Sequence, residues 1–507
     1  MDEPPRLLRI PRQRDPRGHS DSRDDLVAPV GSAARADGER AQQADRSRLD
    51  PALRTGVRRL GAIVFVLPLV LLLLVHLPGW PRDPILMSYG IGVLASTIAI
   101  FYLAYKRYVD PSDPVILMTR RVARTTFPAL PARPRVSFVV AVMNEIDVIE
   151  RCLRSMIASD YSNLEIIVVD DASTDGTAEL LERLTHELDF TLVALEHNRG
   201  KKHALVEGVK MSTGEVFAFT DSDCVLAPDA LRRCVAALLI DPELGAVSGH
   251  ARALNADASF VSKIQDSWYE GSFRITKAAE SSLGSVTCVS GPLAVFRRDA
   301  IFNYLPAWAN DRFLGAEFKF ATDRQLTGYV LGQVWKGPAL KSRYADSPFV
   351  TSEDHPERRW RVGYVRSARV WTVVPETYSA FLKQQVRWKK SFIRNLCFTG
   401  TFIWRRGAGP GLLYSAHALW VLSAPLMAVR HLVWGPLNGM WMLTALYLGG
   451  VVLKGCFWGL SYALDHPNST RWIYRPAMSL VSSVLLSWLL PYSLLTIRRG
   501  VWTRGKA

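Results

Sequence analysis

Apolar positions along this chain fall into two patterns. Near both ends they run together. Residues 60–75 read LGAIVFVLPLVLLLLV, and after Pro78, Pro81 and Pro84 a second run covers 85–105. Each run, with its edges, reaches the roughly 20 residues that a helix needs to cross a bilayer. Three more blocks, 411–434, 437–463 and 473–497, repeat the pattern toward the other end. Between these groups the apolar residues come in short bursts. VSFVVAV (136–142), EIIVVDD (165–171) and GEVFAFTDSD (214–223) read as buried strands, with helical periodicity near 149–158 and again after Thr174-Asp175-Gly176. Strand, helix, strand at this pitch predicts a parallel α/β sheet, whose ligands sit beyond the carboxyl ends of the strands.

Flanking charge orients the apolar runs. Arg54, Arg58 and Arg59 precede the first span and Lys106 and Arg107 follow the second, which puts both flanks and the middle section in the cytosol by the positive-inside rule. Two spans plus three would leave the basic tail (Arg498, Arg499, Arg504, Lys506) outside, against that rule. The 27-residue middle block is also long for one crossing, about 40 Å as a helix. Both facts call for a split or re-entrant element among the last three blocks. The organisation expected is a disordered cytosolic arm (1–56), two transmembrane helices (57–107), a linker (108–134), a globular domain (135–395), an interfacial segment (396–410), a membrane region (411–497) and a basic tail (498–507). The arm holds eleven Arg against ten acids and no aromatic residue, too little to offset its ordering entropy. No apolar run with a small-residue cleavage site opens the chain.

Composition narrows the function classes. Of 507 residues 49% are hydrophobic, and 62 basic against 47 acidic side chains leave +15. The basic excess clusters at membrane flanks without a nucleic-acid-binding motif, so no nucleic-acid partner is expected. Six scattered cysteines, without a CxxC pair, read as buried small hydrophobes in a reducing compartment.

The candidate chemistry lies where strands end in acid. Asp170 and Asp171 close one strand, Asp221 and Asp223 another, and the i, i+2 spacing of the second pair lets two oxygens face one hard cation such as Mg2+ or Mn2+. The same residues would serve as turn formers. Lys201 and Lys202 follow Asn198-Arg199-Gly200 in a loop ahead of a helix, where an ammonium can meet a phosphate or a solvated turn can carry it. Asp323 stands at a helix start, where it could also be a simple cap. Gln384, Arg387 and Trp388 fall at i, i+3 and i+4 of a helix and so share a face that joins an amide, a guanidinium and an indole, a combination suited to a diphosphate and a sugar ring.

In this order, between membrane spans, these motifs resemble processive family 2 glycosyltransferases. Cys288-Val289-Ser290-Gly291-Pro292-Leu293, Asp323-Arg324-Gln325-Leu326-Thr327, QQVRWKKSF (384–392) and LLTIRRGVWTRG (494–505) look most like hyaluronan synthases, with nodulation-type chitin oligosaccharide synthases close behind; the resemblance covers roughly 57–507. It implies a GT-A-type (Rossmann-like) cytosolic domain in a multi-pass protein of the plasma membrane. It implies UDP-sugar donors, UDP-GlcNAc and for hyaluronan also UDP-GlcA, and a growing polysaccharide held beside lipid. By position it assigns Glu145, Asp170 and Asp171 to the uridine end, Lys201 and Arg387 to the diphosphate, Asp221 and Asp223 to Mg2+ or Mn2+, and Asp323 to the base. Ser290, Gly291, Pro292, Gln384 and Trp388 fall to the acceptor. The chain departs from the family at Ala321-Thr322-Asp323-Arg324, which lacks one of two usual acids. Thr351-Ser352-Glu353-Asp354, inside an apparent insertion at 337–360, imitates that motif. Arg324, Leu326 and Thr327 favour Asp323 as the base and leave Asp354 a solvated loop acid. A nonprocessive transferase acting on a polyprenyl phosphate would share the early Asp motifs without needing the 384–388 helix.

Overall fold

The computed structural model describes residues 7–8, 83–113, 127–320 and 322–499. The first apolar run, residues 500–507 of the basic tail and all of the arm except Leu7–Leu8 lie outside the described residues.

The strand bursts form one nine-stranded sheet. β1 (Leu7–Leu8) lies at its edge. It is followed along the chain by β2 (Val136–Val142), β3 (Leu164–Asp170), β4 (Thr191–Ala194), β5 (Val216–Asp221), β6 (Cys224–Leu226), β7 (Leu244–Ala253) and β8 (Ala294–Arg297). A two-stranded hairpin, β9 (Arg312–Phe313) and β10 (Ala316–Glu317), stands apart, and β11 (Arg361–Thr372) completes the sheet. The spatial order is β1-β4-β3-β2-β5-β8-β7-β11-β6. β4, β3, β2 and β5 are parallel, as expected. Beyond them the sheet is mixed rather than parallel, because β8 enters antiparallel between β5 and β7, and β6 runs antiparallel to β11. β8 arrives after a long excursion through helices, with no single crossover to impose the parallel sense.

Continuous Val and Phe runs make β2 and β5 possible as central strands. Val136, Phe138, Val139 and Val140 are fully buried, as are Phe217 and Ala218, which fits strands covered on both faces. The helix Lys201–Lys210 lies directly on this layer, since a Cβ at Gly208 would run into Val139 and Val169. Lys201 and Lys202 open that helix instead of preceding it in a loop. Lys202 is buried, 2.7 Å from Gln325 Oε1 and 2.8 Å from the Phe318 carbonyl.

Three described helices are long and apolar enough to cross a membrane: Pro84–Arg107, Ala408–Leu437 and Trp441–Asp465. A further pair, Arg471–Val484 and Leu486–Leu495, is bent by 40°. The split element is therefore the last block, while the middle block shortens to one continuous helix after the turn at Gly439 (φ +72°). Outward leucines such as Leu412, Leu419, Leu426 and Leu495, each at least two thirds exposed, suit a lipid surround. Asp83 caps the helix Pro84–Tyr102 and receives Arg430 Nη2 at 2.7 Å, so Arg430 is balanced at the helix end. At the opposite end Asp465 takes Arg274 (2.8 Å) and Arg366 (3.0 Å) from the globular domain.

Cys152, Cys224 and Cys234 are buried as expected. Cys288 and Cys456 are only half-buried and Cys397 is exposed, because these positions line a cleft or an outward helix face rather than the core.

Candidate active site

Strand register sets the first acids. Val142 pairs with Asp170 and Ala141 with Asp221, which places these carboxylates on either side of the end of β2. Asp171 follows and accepts the backbone N–H groups of Arg199 (2.7 Å) and Gly200 (2.9 Å). Gly200, at φ +85°, provides a backbone conformation that L side chains rarely adopt, and the chain turns there into the helix Lys201–Lys210. Burial raises the Asp171 carboxyl above the usual range while the two amides pull it down. Asp170 gives its oxygens to Ser173, 2.5 Å from Oγ and 3.2 Å from N, and shapes the turn behind. A cleft opens beside them, lined by Ala141, Val142, Met143, Glu145, Asp171, Lys201 and Ser222. Glu145, Asp171 and Lys201 thus meet in one cavity, and Asp170 does not line it.

Asp221 ends β5 and Asp223 stands just before β6. Their oxygens and Cys224 Sγ all lie within 4.8 Å of one another. Lys201 Nζ pairs with Asp221 Oδ1. That pairing directs Lys201 at the acid rather than at open space, and with Asp223 it outweighs burial to raise the ammonium. Burial and the neighbouring Asp221 push the Asp223 carboxyl up to about 6, and Thr372 Oγ1 donates to it at 3.2 Å. Two carboxylate oxygens fit a hard divalent ion. The Cys224 thiol, held protonated by burial and by Asp223, does not.

The loop 288–293 packs against Asp221. A Cβ at Gly291 would stand 2.8 Å from Asp221 Oδ2, so only glycine lets the loop come this near. Thr220 Oγ1 donates to the Pro292 carbonyl at 2.8 Å, and the Ser290 N–H donates to Ser248 Oγ at 3.2 Å. Asp323 lies in the first turn of the helix Thr322–Arg343. Its Oδ2 accepts the Cys288 thiol at 3.2 Å and its Oδ1 accepts the Arg324 N–H at 2.8 Å. Thr327 Oγ1 donates to the Asp323 carbonyl (2.7 Å) and accepts the Val289 N–H (2.9 Å). One loop therefore touches Asp221 and Asp323 together.

Gln384, Arg387 and Trp388 lie on the helix Tyr378–Thr399, which Thr377 caps. Trp388 packs on Trp268 and Tyr269, with ring centroids 5.4 and 6.1 Å apart. Burial lowers the Arg387 guanidinium, and Asp221, Tyr269 and Asp223 partly offset it, so Arg387 faces the acidic pair. Gln384 Oε1 is buried with no hydrogen-bond partner among the described residues, which leaves an acceptor for a ligand hydroxyl. Trp268, Tyr269 and Cys288 are additions that the motifs did not flag as site residues. The two aromatics look like core in the sequence, since nothing in the helix Phe260–Gly271 marks Trp388 as their partner. Glu353 binds Arg298 (2.9 Å) and Asp354 binds Lys341 (2.5 Å), both apart from this cluster.

Residues 137–305 match the family model described as glycosyl transferase family 2. The chain is 28% identical to an N-acetylglucosaminyltransferase of Azorhizobium caulinodans, across 74% of this chain and 88% of that protein. It is 27% identical to a hyaluronan synthase of Streptococcus pyogenes, across 75% and 85%. Among solved structures, a mannosyltransferase from Pyrobaculum calidifontis in complex with GDP-Man and Mn2+ is 21% identical, across 78% of this chain and 99% of that one, with a TM-score of 0.43.

Proposed function

We propose that this chain, a glycosyltransferase by its family 2 domain, is a membrane-embedded, processive, inverting enzyme that builds a β-linked polysaccharide from UDP-sugars and passes it across the plasma membrane. The observation that supports the reading is the 288–293 loop, which approaches Asp221 at Gly291 and meets Asp323 through Cys288. Beside it Trp388 sits on the helix that leads to the span Ala408–Leu437.

Glu145 and Asp171 hold the uridine end, and Arg387 and Lys201 face the diphosphate. Asp221 and Asp223 would hold Mg2+ or Mn2+. Such an ion, when bound, supplies charge neutralisation for departing UDP. Asp323 accepts the proton of the acceptor hydroxyl as that oxygen attacks the anomeric carbon. With no second carboxylate placed as a nucleophile, a single displacement inverts the centre and turns an α-linked donor into a β-linkage. Ser290, Gly291, Pro292 and Gln384 shape the acceptor pocket, and Trp388, braced by Trp268 and Tyr269, stacks on the acceptor sugar. The catalytic domain faces the cytosol in this reading.

The product favoured is hyaluronan, from UDP-GlcNAc and UDP-GlcA. A chitin-like product from UDP-GlcNAc alone is the second reading, supported by the similarity to the Azorhizobium protein. The test uses purified full-length protein in lipid with Mg2+ or Mn2+ and each UDP-sugar alone and paired. UDP release that needs both donors, with a hyaluronidase-sensitive product, supports hyaluronan. Release with UDP-GlcNAc alone supports the second reading, and no transfer from either donor defeats both.

A further inference from the structure

One buried carboxylate ties together three helices of the site. Asp311 stands just ahead of the hairpin of β9 and β10. It accepts Arg394 Nε at 3.0 Å and Arg394 Nη2 at 2.6 Å, a two-point grip on the helix Tyr378–Thr399. Its Oδ2 also lies 3.5 Å from Lys202 Nζ, in the first turn of the helix Lys201–Lys210. Lys202 in turn donates to Gln325 Oε1 at 2.7 Å, on the helix Thr322–Arg343. Gln325 Nε2 is fixed by the Tyr329 hydroxyl at 2.7 Å, and Trp308 Nε1 holds the Thr322 carbonyl at 2.8 Å. The Phe318 N–H donates to the Asp311 carbonyl at 2.8 Å and so closes the hairpin segment against the cluster.

Each of these helices carries a site residue close by in sequence. Lys201, which pairs with Asp221, adjoins Lys202. Asp323 lies one residue away from Gln325's neighbour Arg324 on the same first turn. Arg387 and Arg394 fall at i and i+7 of one helix and so share a face. Lys202, Asp311, Gln325 and Arg394 are all buried. Among the described residues, Asp311 is the carboxylate with which both cations pair. Taking the acid out of such a cluster strands buried charge. None of the four side chains lines the cleft beside Asp171, so their effect on the chemistry passes through the helices they hold.

We propose that Asp311 is a positioning residue for sugar transfer. By holding Lys202 and Arg394 on one carboxylate it sets the spacing between the donor side, at Lys201 and Asp221, and the acceptor side, at Arg387 and Trp388. Gln325 brings the helix of the base Asp323 into the same frame. Transfer needs donor, acceptor and base aligned together, and a misplacement of about 1 Å can cost about 100-fold in rate. Attack by water needs no sugar seated on Trp388 and depends less on that spacing. The inference rests on the transfer roles given above and adds the residue that keeps them in register.

Full-length protein in nanodiscs, given labelled UDP-GlcNAc with UDP-GlcA and Mg2+ or Mn2+, tests this. The readout is the ratio of label built into glycan to label released as free sugar, with Tm and UDP affinity measured on the same samples. Asp311→Asn should lower that ratio about tenfold or more while UDP affinity stays within about twofold. Arg394→Lys keeps every charge but loses the two-point grip, and should lower the ratio about threefold. It decides the matter should the Asn variant not fold. Adding Lys202→Met to Asp311→Asn removes one stranded charge, and should raise Tm without restoring the ratio. An unchanged ratio, a parallel loss of transfer and hydrolysis, or recovery of the ratio together with Tm would reduce Asp311 to a structural ion pair and overturn the proposal. Wild type that neither binds UDP nor consumes UDP-GlcNAc would defeat the function proposed above, and this inference with it.

Discussion

The thiol of Cys288 donates to the carboxylate of Asp323 across 3.2 Å. Burial and that carboxylate push the thiol up to about 11, so it stays protonated and acts as a donor at neutral pH. Cys288→Ser keeps a donor and should stay within about twofold of wild type. Cys288→Ala loses a hydrogen bond worth about 1 kcal/mol and should lower kcat roughly fivefold with little change in donor KM. Steady-state kinetics on both variants checks this, and an unaffected Ala variant would show the contact to be incidental.

Asp323→Asn keeps the shape of the site and removes its base. UDP should bind as in wild type while polymer formation falls by at least about 100-fold. Calorimetry with UDP alongside a polymer assay separates the two effects, and an active Asn variant would remove Asp323 from the chemistry.

Trp388→Ala leaves Trp268 and Tyr269 without their partner ring. Acceptor use should weaken about tenfold, the equivalent of roughly 1.4 kcal/mol, with UDP affinity preserved. Equal loss of both would mean that the indole supports the whole cleft rather than the sugar.

Gly291→Ala would put a methyl group 2.8 Å from Asp221 Oδ2. The expected result is a protein of near-normal Tm in which Mg2+ or Mn2+ no longer strengthens UDP binding. Chelation of the wild type should give the same UDP affinity as the variant, and a variant that still responds to the metal would separate the loop from the ion site.

Gly208→Ala tests the sheet instead of the chemistry. The new Cβ meets Val139 and Val169 in a layer with no slack, and overpacking of this kind costs about 1–3 kcal/mol. Thermal unfolding should show a lowered Tm without selective loss of UDP binding.

Continuous runs of Val, Ile and Phe made β2, β3 and β5 legible, because such runs leave little alternative to a buried strand, and a closing Asp marked the ends of β3 and β5. The antiparallel entry of β8 was not legible, since four residues, Ala-Val-Phe-Arg, read the same in either direction. Neither was the approach of Gly291 to Asp221, a contact between distant segments that no local spacing records. Trp388 stood out beside Arg387, yet its brace at Trp268 and Tyr269 resembled ordinary core. The bend in the last apolar block falls at Leu485, between Val484 and Leu486, with no Pro or Gly at the break to announce it. The acids at 353 and 354 could be set aside in favour of Asp323 because its neighbours Arg324, Leu326 and Thr327 carried the motif.

Asp465 closes a membrane helix by taking two guanidinium groups from the domain above it, at Arg274 and Arg366. Cutting the protein between its two halves would therefore strand those arginines, and the freed upper part would carry mismatched charges on the surface where it used to dock. A shortened version suited to crystallisation in plain buffer would need both positions redesigned first, so work on intact protein in detergent or nanodiscs is the more direct route.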